Sequence, residues 1–205
     1  MVEQGIEMTE VEQLAWAGLV SKGIGNSISG LSQMVGQDIK ATSLNPRVVA
    51  IKDIPDLIGG AEALTVGVYL KVTGDASGHM VLVYKPQAAY ELLDMLLGLT
   101  PGTTHEINEM GESALGEMGN IMGSFFLNSL ADSTGMVFMP SPPAVMMDMA
   151  GAILNVALAE IMMETDDACI VEAMFGTADR QVNGTFLVMP SLELLDALRE
   201  RWRMQ

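Results

Sequence analysis

The sequence predicts a mixed α/β (α+β) fold that is built by internal duplication. Helical and strand patterns alternate along the 205 residues, and the second half of the chain repeats the order of the first. A shift of 99 residues superimposes Leu31 on Leu130 and Gly36 on Gly135. A shift of 102 residues superimposes the tetrapeptide Glu-Leu-Leu-Asp at 91–94 on its second occurrence at 193–196. We therefore expect one domain over residues 1–205, with repeat halves at about 10–100 and 106–205.

Each half combines helices of period 3.6 with apolar or alternating strands. In the first half we expect a helix over 10–35, a strand around 39–51, a strand hairpin over 64–72 and 79–84, and a helix over 86–98. Residues 100–105 form the expected linker. In the second half we expect a helix over 108–132, strands over 135–138, 168–175 and 182–189, and helices over 145–163 and 192–203. Pro140 to Pro143 should form a rigid entry to the helix over 145–163, and Ser191 can cap the last helix.

Composition excludes several classes of function. Twenty-six acidic against ten basic residues give a formal charge of −16, so the phosphate backbone of a nucleic acid would be repelled. No basic and apolar leader and no clean apolar span of about 20 residues is found, so we expect neither secretion nor membrane insertion. The single cysteine, Cys169, fits the reducing cytoplasm, and two scattered histidines cannot build a Cys/His metal site.

The segment 113–124 carries the candidate chemistry. On a helix, Ser113, Glu117, Asn120 and Ser124 fall on one stripe about 60° wide. Gly116, Gly119 and Gly123 line one flank of that helix. Because each glycine costs about 1 kcal/mol relative to alanine in a helix, three of them predict a closely packed neighbour. Spacing alone leaves a second interpretation open, in which the stripe is an ordinary solvated face.

A family resemblance favours the functional interpretation. Ser113, Glu117 and Asn120 are followed after 22 residues by Pro143, and this pattern resembles the signature of the CheC family of response-regulator phosphatases. The resemblance extends over most of the chain. It implies two halves related by a pseudo-twofold axis, with an antiparallel sheet and helices on one side of it. It also implies hydrolysis of the aspartyl phosphate of a CheY-like response regulator in bacterial chemotaxis.

The resemblance assigns a role to each signature residue. Asn120 would hold a water molecule against the phosphorus, and Glu117 would pair with a lysine of the receiver domain and fix the docked pose. Ser113 would tune or cap the site, and Pro143 would shape the neighbouring loop. The protein would have no cofactor of its own, since the phosphorylated receiver supplies Mg²⁺.

Only one competent site is expected. The shift of 99 residues aligns Ser113, Glu117 and Asn120 with Leu14, Gly18 and Ser21, which lack the required polar groups. An alternative function is therefore open, in which the chain is a largely non-catalytic interaction module that binds the deamidase CheD or a receiver.

The remaining unusual residues have structural interpretations. The chain has 18 methionines, and five of them surround the helix predicted over 145–163: Met146, Met147, Met149, Met162 and Met163. They either pack the core or form an adaptable contact surface, and members of the CheC family bind CheD through the corresponding region. We expect His79 to be a surface residue of a strand and His105 to be solvated in the linker.

Overall fold

The computed structural model describes residues 9–161 and 167–203, which form an α/β fold with an antiparallel sheet. The helices are α1 (Glu10–Val35), α2 (Ile54–Leu57), α3 (Pro86–Leu96), α4 (Glu109–Thr134), α5 (Ala150–Ile161) and α6 (Leu192–Arg203). The strands are β1 (Lys40–Ala50), β2 (Leu64–Gly74), β3 (Gly78–Tyr84), β4 (Phe138–Pro140), β5 (Ala144–Met149), β6 (Asp167–Gly176) and β7 (Gln181–Pro190). No helix in the described ranges is long and apolar enough to cross a membrane.

The order of the strands reflects the duplication. The sheet runs β1-β6-β7-β3-β2-β4. Strand β5 also pairs with β2, along residues 64–69, whereas β4 pairs with residues 72–74 of the same strand. Exchanging β1 with β5, β2 with β6 and β3 with β7 reproduces the order β1-β6-β7-β3-β2-β5 read from the opposite end. This is the pseudo-twofold relation that the family resemblance implies, and it relates the two halves of the duplicated sequence.

The two longest helices pack against each other at the centre of this symmetry. Both α1 and α4 have 26 residues, and their first residues are separated by the predicted 99 positions. The Ser27 hydroxyl donates a hydrogen bond to the carbonyl of Met122 at 2.7 Å. Gly23 faces the ring of Phe126, which would lie 2.5 Å from a Cβ atom added there. Because the 99-residue shift pairs Gly23 with Met122 and Ser27 with Phe126, it exchanges these two contacts.

Helices cover both faces of the sheet. The larger hydrophobic cluster joins α1, α3, α4 and α6 to one face, and a smaller cluster joins Ile54 of α2 and Ile153 of α5 to the other. The expectation of helices on one side is therefore wrong. The reason is visible in β3, where all seven residues are buried, because a central strand that is apolar on both faces needs cover on both.

The segment predicted as a helix over 145–163 is a strand followed by a shorter helix. Strand β5 pairs with β2 from Ala144 opposite Tyr69 to Met149 opposite Leu64, and α5 begins only at Ala150. Methionine-rich sequence favours a helix locally, but pairing with an existing sheet edge overrides that preference. Met162 and Met163 lie outside the described residues.

Smaller differences follow from caps and from neighbouring strands. Gly135 ends α4 in the left-handed conformation (φ 67°), so the strand predicted over 135–138 begins at Phe138 instead. His79 is only 5% exposed, and its Nδ1 lies 2.9 Å from the Tyr69 hydroxyl. The expected surface position of His79 is wrong because β3 is an inner strand between β2 and β7. Ser191 does cap α6, since its hydroxyl accepts a hydrogen bond from the Leu194 amide.

Candidate functional site

The predicted site residues lie on the outer surface of α4. Ser113, Glu117 and Asn120 are exposed, and Asn120 follows Glu117 by about 4.5 Å along the axis and about 60° around it. The helix starts with a side-chain cap, because Oδ1 of Asn108 accepts a hydrogen bond from the Gly111 amide at 2.9 Å. The side chains of Glu117 and Asn120 therefore share one solvent-facing surface.

Two of the three glycines hold α4 close to the sheet. A Cβ atom added to Gly119 would lie 2.5 Å from Cγ1 of Val68, and one added to Gly123 would lie 2.9 Å from Cδ2 of Leu70. A side chain at either position would push the helix away from β2. Gly116 is different, since its nearest neighbours are at ordinary contact distance, 3.8 Å for Val145. The predicted close neighbour of the glycine flank is thus confirmed at Gly119 and Gly123.

A loop fixed to the sheet brings Pro143 beside the helix. Ser141 accepts a hydrogen bond from the Lys71 amide through its hydroxyl at 3.0 Å, and its own amide donates to the Lys71 carbonyl at 2.7 Å. The half-buried Pro143 then faces α4, with Cβ 3.6 Å from a Cβ placed on Gly119. Ser113 and Pro143 consequently come together, although 29 residues separate them in sequence.

A cavity of about 320 Å³ lies between α4 and this loop. Its lining consists of Glu109, Glu112, Ser113, Gly116, Pro143 and Val145. Two carboxylates and no basic side chain line it, so a phosphoryl group would find no cation in its wall. Among the described residues, no three His, Cys, Asp or Glu side chains lie close enough together to hold a metal ion.

Sequence reasoning missed the two glutamates of this cavity. Glu109 stands one turn before Ser113 on the same stripe, so helical spacing could have found it. Glu112 lies toward the strand side of that stripe, and its position at the cavity depends on the docked loop. No local sequence pattern indicates that loop contact.

The corresponding surface of α1 has a different composition. Leu14 and Gly18 are exposed and Ser21 is half-buried, so the stripe is accessible but lacks the signature side chains. A groove of about 370 Å³ lies beside Leu14, lined also by Pro46 and Arg47. Arg47 makes an ion pair with Glu172 at 2.9 Å, so this groove is bordered by a charged side chain.

Comparison with known proteins agrees with the signature. The model of the CheC-like family matches residues 110–147, a segment that contains Ser113, Glu117, Asn120 and Pro143. The CheY-P phosphatase CheC of Bacillus subtilis (strain 168) is 26% identical over 198 residues, which are 95% of this chain and 94% of that protein.

Solved structures show the same fold. FliY from Thermotoga maritima matches with a TM-score of 0.75 and 22% identity, covering 95% of this chain and 97% of that chain. A chain of the FliM–SpeE complex from H. pylori matches with a TM-score of 0.67 and 14% identity, covering 97% and 100%. The family model, the relative that matches over most of its length and the shared fold agree in their direction, and this chain is similar to CheC-like proteins: the family model matches residues 110–147, and the relative is similar over 95% of the chain.

Proposed function

We propose that this protein hydrolyses the aspartyl phosphate of a CheY-like receiver domain, with Glu117 and Asn120 of α4 as its active groups. The observation that carries the proposal is the Glu117 and Asn120 pair, exposed on a helix that glycine contacts hold against β2. The similarity to the CheY-P phosphatase CheC over 95% of the chain supports the choice of substrate.

The chemistry asks little of the protein beyond positioning. A water oxygen attacks the phosphorus, the bond between phosphorus and the aspartyl oxygen breaks, and the products are inorganic phosphate and the free carboxylate of the receiver. The family resemblance implies that a divalent ion and a lysine of the receiver would neutralise the phosphoryl charge. The Asn120 amide offers a donor and an acceptor on one rigid group, and can therefore hold the water in line without removing its proton.

Glu117 has a separate role in this mechanism. Its carboxylate is exposed one turn before Asn120, so it is accessible to a lysine of the docked receiver. A charge-assisted hydrogen bond of that kind fixes the relative orientation of the two proteins. The acidic cavity beside Ser113 fits the same arrangement, because any cation at the site must come from the partner.

The test is the loss of phosphate from a purified phosphorylated receiver. We expect Asn120→Ala to slow turnover by about 10² to 10⁴ with binding kept, and Glu117→Ala mainly to weaken binding. Asn128→Ala and Asp132→Ala are matched controls, since both residues are exposed on α4 outside the signature. If Glu117→Ala and Asn120→Ala both left turnover within twofold of the parent, the assignment of the site would be wrong.

A second candidate function is a binding module without catalysis. It is favoured by the missing signature groups at Leu14, Gly18 and Ser21, and by fold relatives solved within complexes, such as FliG–FliM from H. pylori. CheD or an unhydrolysed receiver would be its partner. In that case Asn120→Ala would change neither binding nor the lifetime of the phosphoryl group.

A further inference from the structure

A strip of apolar side chains at the sheet edge beside the candidate site is about half exposed. Met147 of β5 is 43% exposed, Met149 is 50% exposed, and Leu64 of β2 is 52% exposed. Leu64 pairs directly with Met149 across the two strands, so their side chains stand on one face. Contiguous exposed apolar surface of this kind is typical of an interaction site, whereas single exposed residues are not.

This strip continues the cavity of the candidate site. Val145 lines the cavity and packs toward the cluster of α4, and Met147 and Met149 follow it at alternate positions of the same strand. They therefore share its face, while Met146 packs against the opposite cluster. From Val145 the strip extends about 13 Å to Met149, which is a little over two turns of an α-helix.

An acidic wall borders the strip on its helix side. Gly119 and Gly123 face Val68 and Leu70 in turn, so α4 runs parallel to β2 and antiparallel to β5. Gly116 of α4 lies beside Val145 of β5. One helical turn before Gly116 is Glu112, and two residues after Val145 is Met147. Because one helical turn and two strand residues cover similar lengths, Glu112 lies at the level of Met147. Glu109 and Glu112 are both exposed and both line the cavity.

We propose that Met147, Met149 and Leu64 form the docking surface for the receiver, and that they accept one amphipathic helix of it. This inference rests on the proposed function and adds the part of the surface that selects the substrate. The chemistry of the wall defines the occupant. A helix with an apolar face about two turns long, flanked by Lys or Arg, would bury the methionines and pair with Glu109 and Glu112.

Methionine suits such a surface because its unbranched side chain adapts to different apolar partners. Strand β5 also has an unpaired edge among the described strands, since it pairs only with β2. The docked helix would cover the face of this edge and bring its protein against α4, where Glu117 and Asn120 lie.

The experiment compares binding and turnover of one phosphorylated receiver across variants of the full chain. We expect Met149→Ser to raise KM and the receiver Kd, and Met147→Ser combined with Met149→Ser to raise both by about tenfold or more. The value of kcat should stay within about twofold to threefold. Met174→Ser on β6 is the matched control, since it is 40% exposed but lies in the other half of the sheet.

Substitutions in the acidic wall test the docking surface independently. Glu109→Gln combined with Glu112→Gln should raise KM at low salt and reduce its dependence on ionic strength, because exposed charge pairs are screened by salt. Unchanged KM and Kd in the methionine variants, or an equal effect of Met174→Ser, would overturn the docking surface. A change of oligomeric state in the methionine variants, with receiver binding unaffected, would also overturn it and would assign the strip to a second copy of the chain.

The docking surface and the proposed function can fail separately. If the parent hydrolyses the phosphorylated receiver and Asn120→Ala does not, unchanged binding by the methionine variants overturns the docking surface alone. If the parent binds the receiver without hydrolysing it, and the methionine variants lose that binding, the docking surface stands and the phosphatase assignment fails.

Discussion

Alanine substitutions of helical glycines should have opposite effects at Gly119 and Gly18. Removing a glycine from a helix interior stabilises the folded state by about 1 kcal/mol. At Gly18 nothing lies within 4 Å of an added Cβ, so the full gain is expected. At Gly119 the added Cβ would lie 2.5 Å from Cγ1 of Val68, a fully buried and β-branched residue of β2 with little freedom to rotate.

The expected difference between the two variants can be estimated. Overpacking a core contact costs about 1 to 3 kcal/mol, which offsets the helix gain at Gly119 and leaves a net loss of up to about 2 kcal/mol. Gly119→Ala should therefore be less stable than Gly18→Ala by about 1 to 3 kcal/mol. Gly116→Ala is an internal control on the same helix, because its Cβ would meet Val145 at 3.8 Å. It should resemble Gly18→Ala.

Urea unfolding followed by far-ultraviolet circular dichroism measures these differences, provided that the m-values stay equal. The same variants test the positioning role of α4. Displacing the backbone at Gly119 moves the neighbouring Asn120, and a misplacement of about 1 Å can cost about 10² in rate. If Gly119→Ala were as stable as Gly18→Ala and fully active, close packing of α4 on Val68 would not hold the site in place.

Three further predictions concern the linker, the metal and the first helix. Burial raises the pKa of the Asp94 carboxyl, but hydrogen bonds from Thr104, Thr103 and Gly102 outweigh burial and hold that pKa below its ordinary value. Asp94 therefore adds stability above about pH 4 that is lost as the pH falls through its folded pKa. Asp94→Asn should lower the free energy of unfolding by about 2 kcal/mol at pH 7, measured by urea unfolding, and should make that free energy depend less on pH in the acid range. An unchanged dependence on pH in the acid range would contradict this role of Asp94. The isolated chain should show no tight Mg²⁺ binding in calorimetry. Tight binding would contradict the prediction that the receiver alone supplies the Mg²⁺ ion. Leu14→Ser, Gly18→Glu and Ser21→Asn together should restore some phosphatase activity to Asn120→Ala; a folded, receiver-binding variant without activity would refute functional symmetry.

Elements defined by local signals could be predicted well from the sequence. Helix α1 has the predicted bounds because Thr9 and Gly36 cap it, and both caps are encoded within one turn of the helix ends. Strand β5 could not be predicted, because its partner β2 lies about 80 residues away in sequence and supplies the pairing that decides its conformation. Methionine at 146 and 147 carries no strand preference by itself.

The candidate site shows the same division between local and distant information. A shared face for Ser113, Glu117 and Asn120 follows from helical spacing, and the structure confirms that all three are exposed on α4. The cavity beside Ser113 depends on Ser141, which binds the backbone of Lys71 across 70 positions in sequence. No spacing rule contains that contact, so Glu112 could be recognised as a cavity residue only in the folded chain, whereas helical spacing alone places Glu109 on the stripe of Ser113.

The contacts at the centre of the duplication explain why one helix is suited to carry the site. At that interface α1 contributes the small residues Gly23 and Ser27, and α4 contributes Met122 and Phe126. The ring of Phe126 packs directly on the backbone of α1, which leaves α4 with large buried side chains that resist rotation about its axis. Rotation of α4 would misdirect Asn120, so the asymmetry at the interface supports the accuracy that a positioned water requires. Helix α1 has the same length and also ends at a left-handed glycine, but it places Gly23 and Ser27 where α4 places Met122 and Phe126. Because of this difference in packing, we expect a rebuilt signature on α1 to recover only part of the activity.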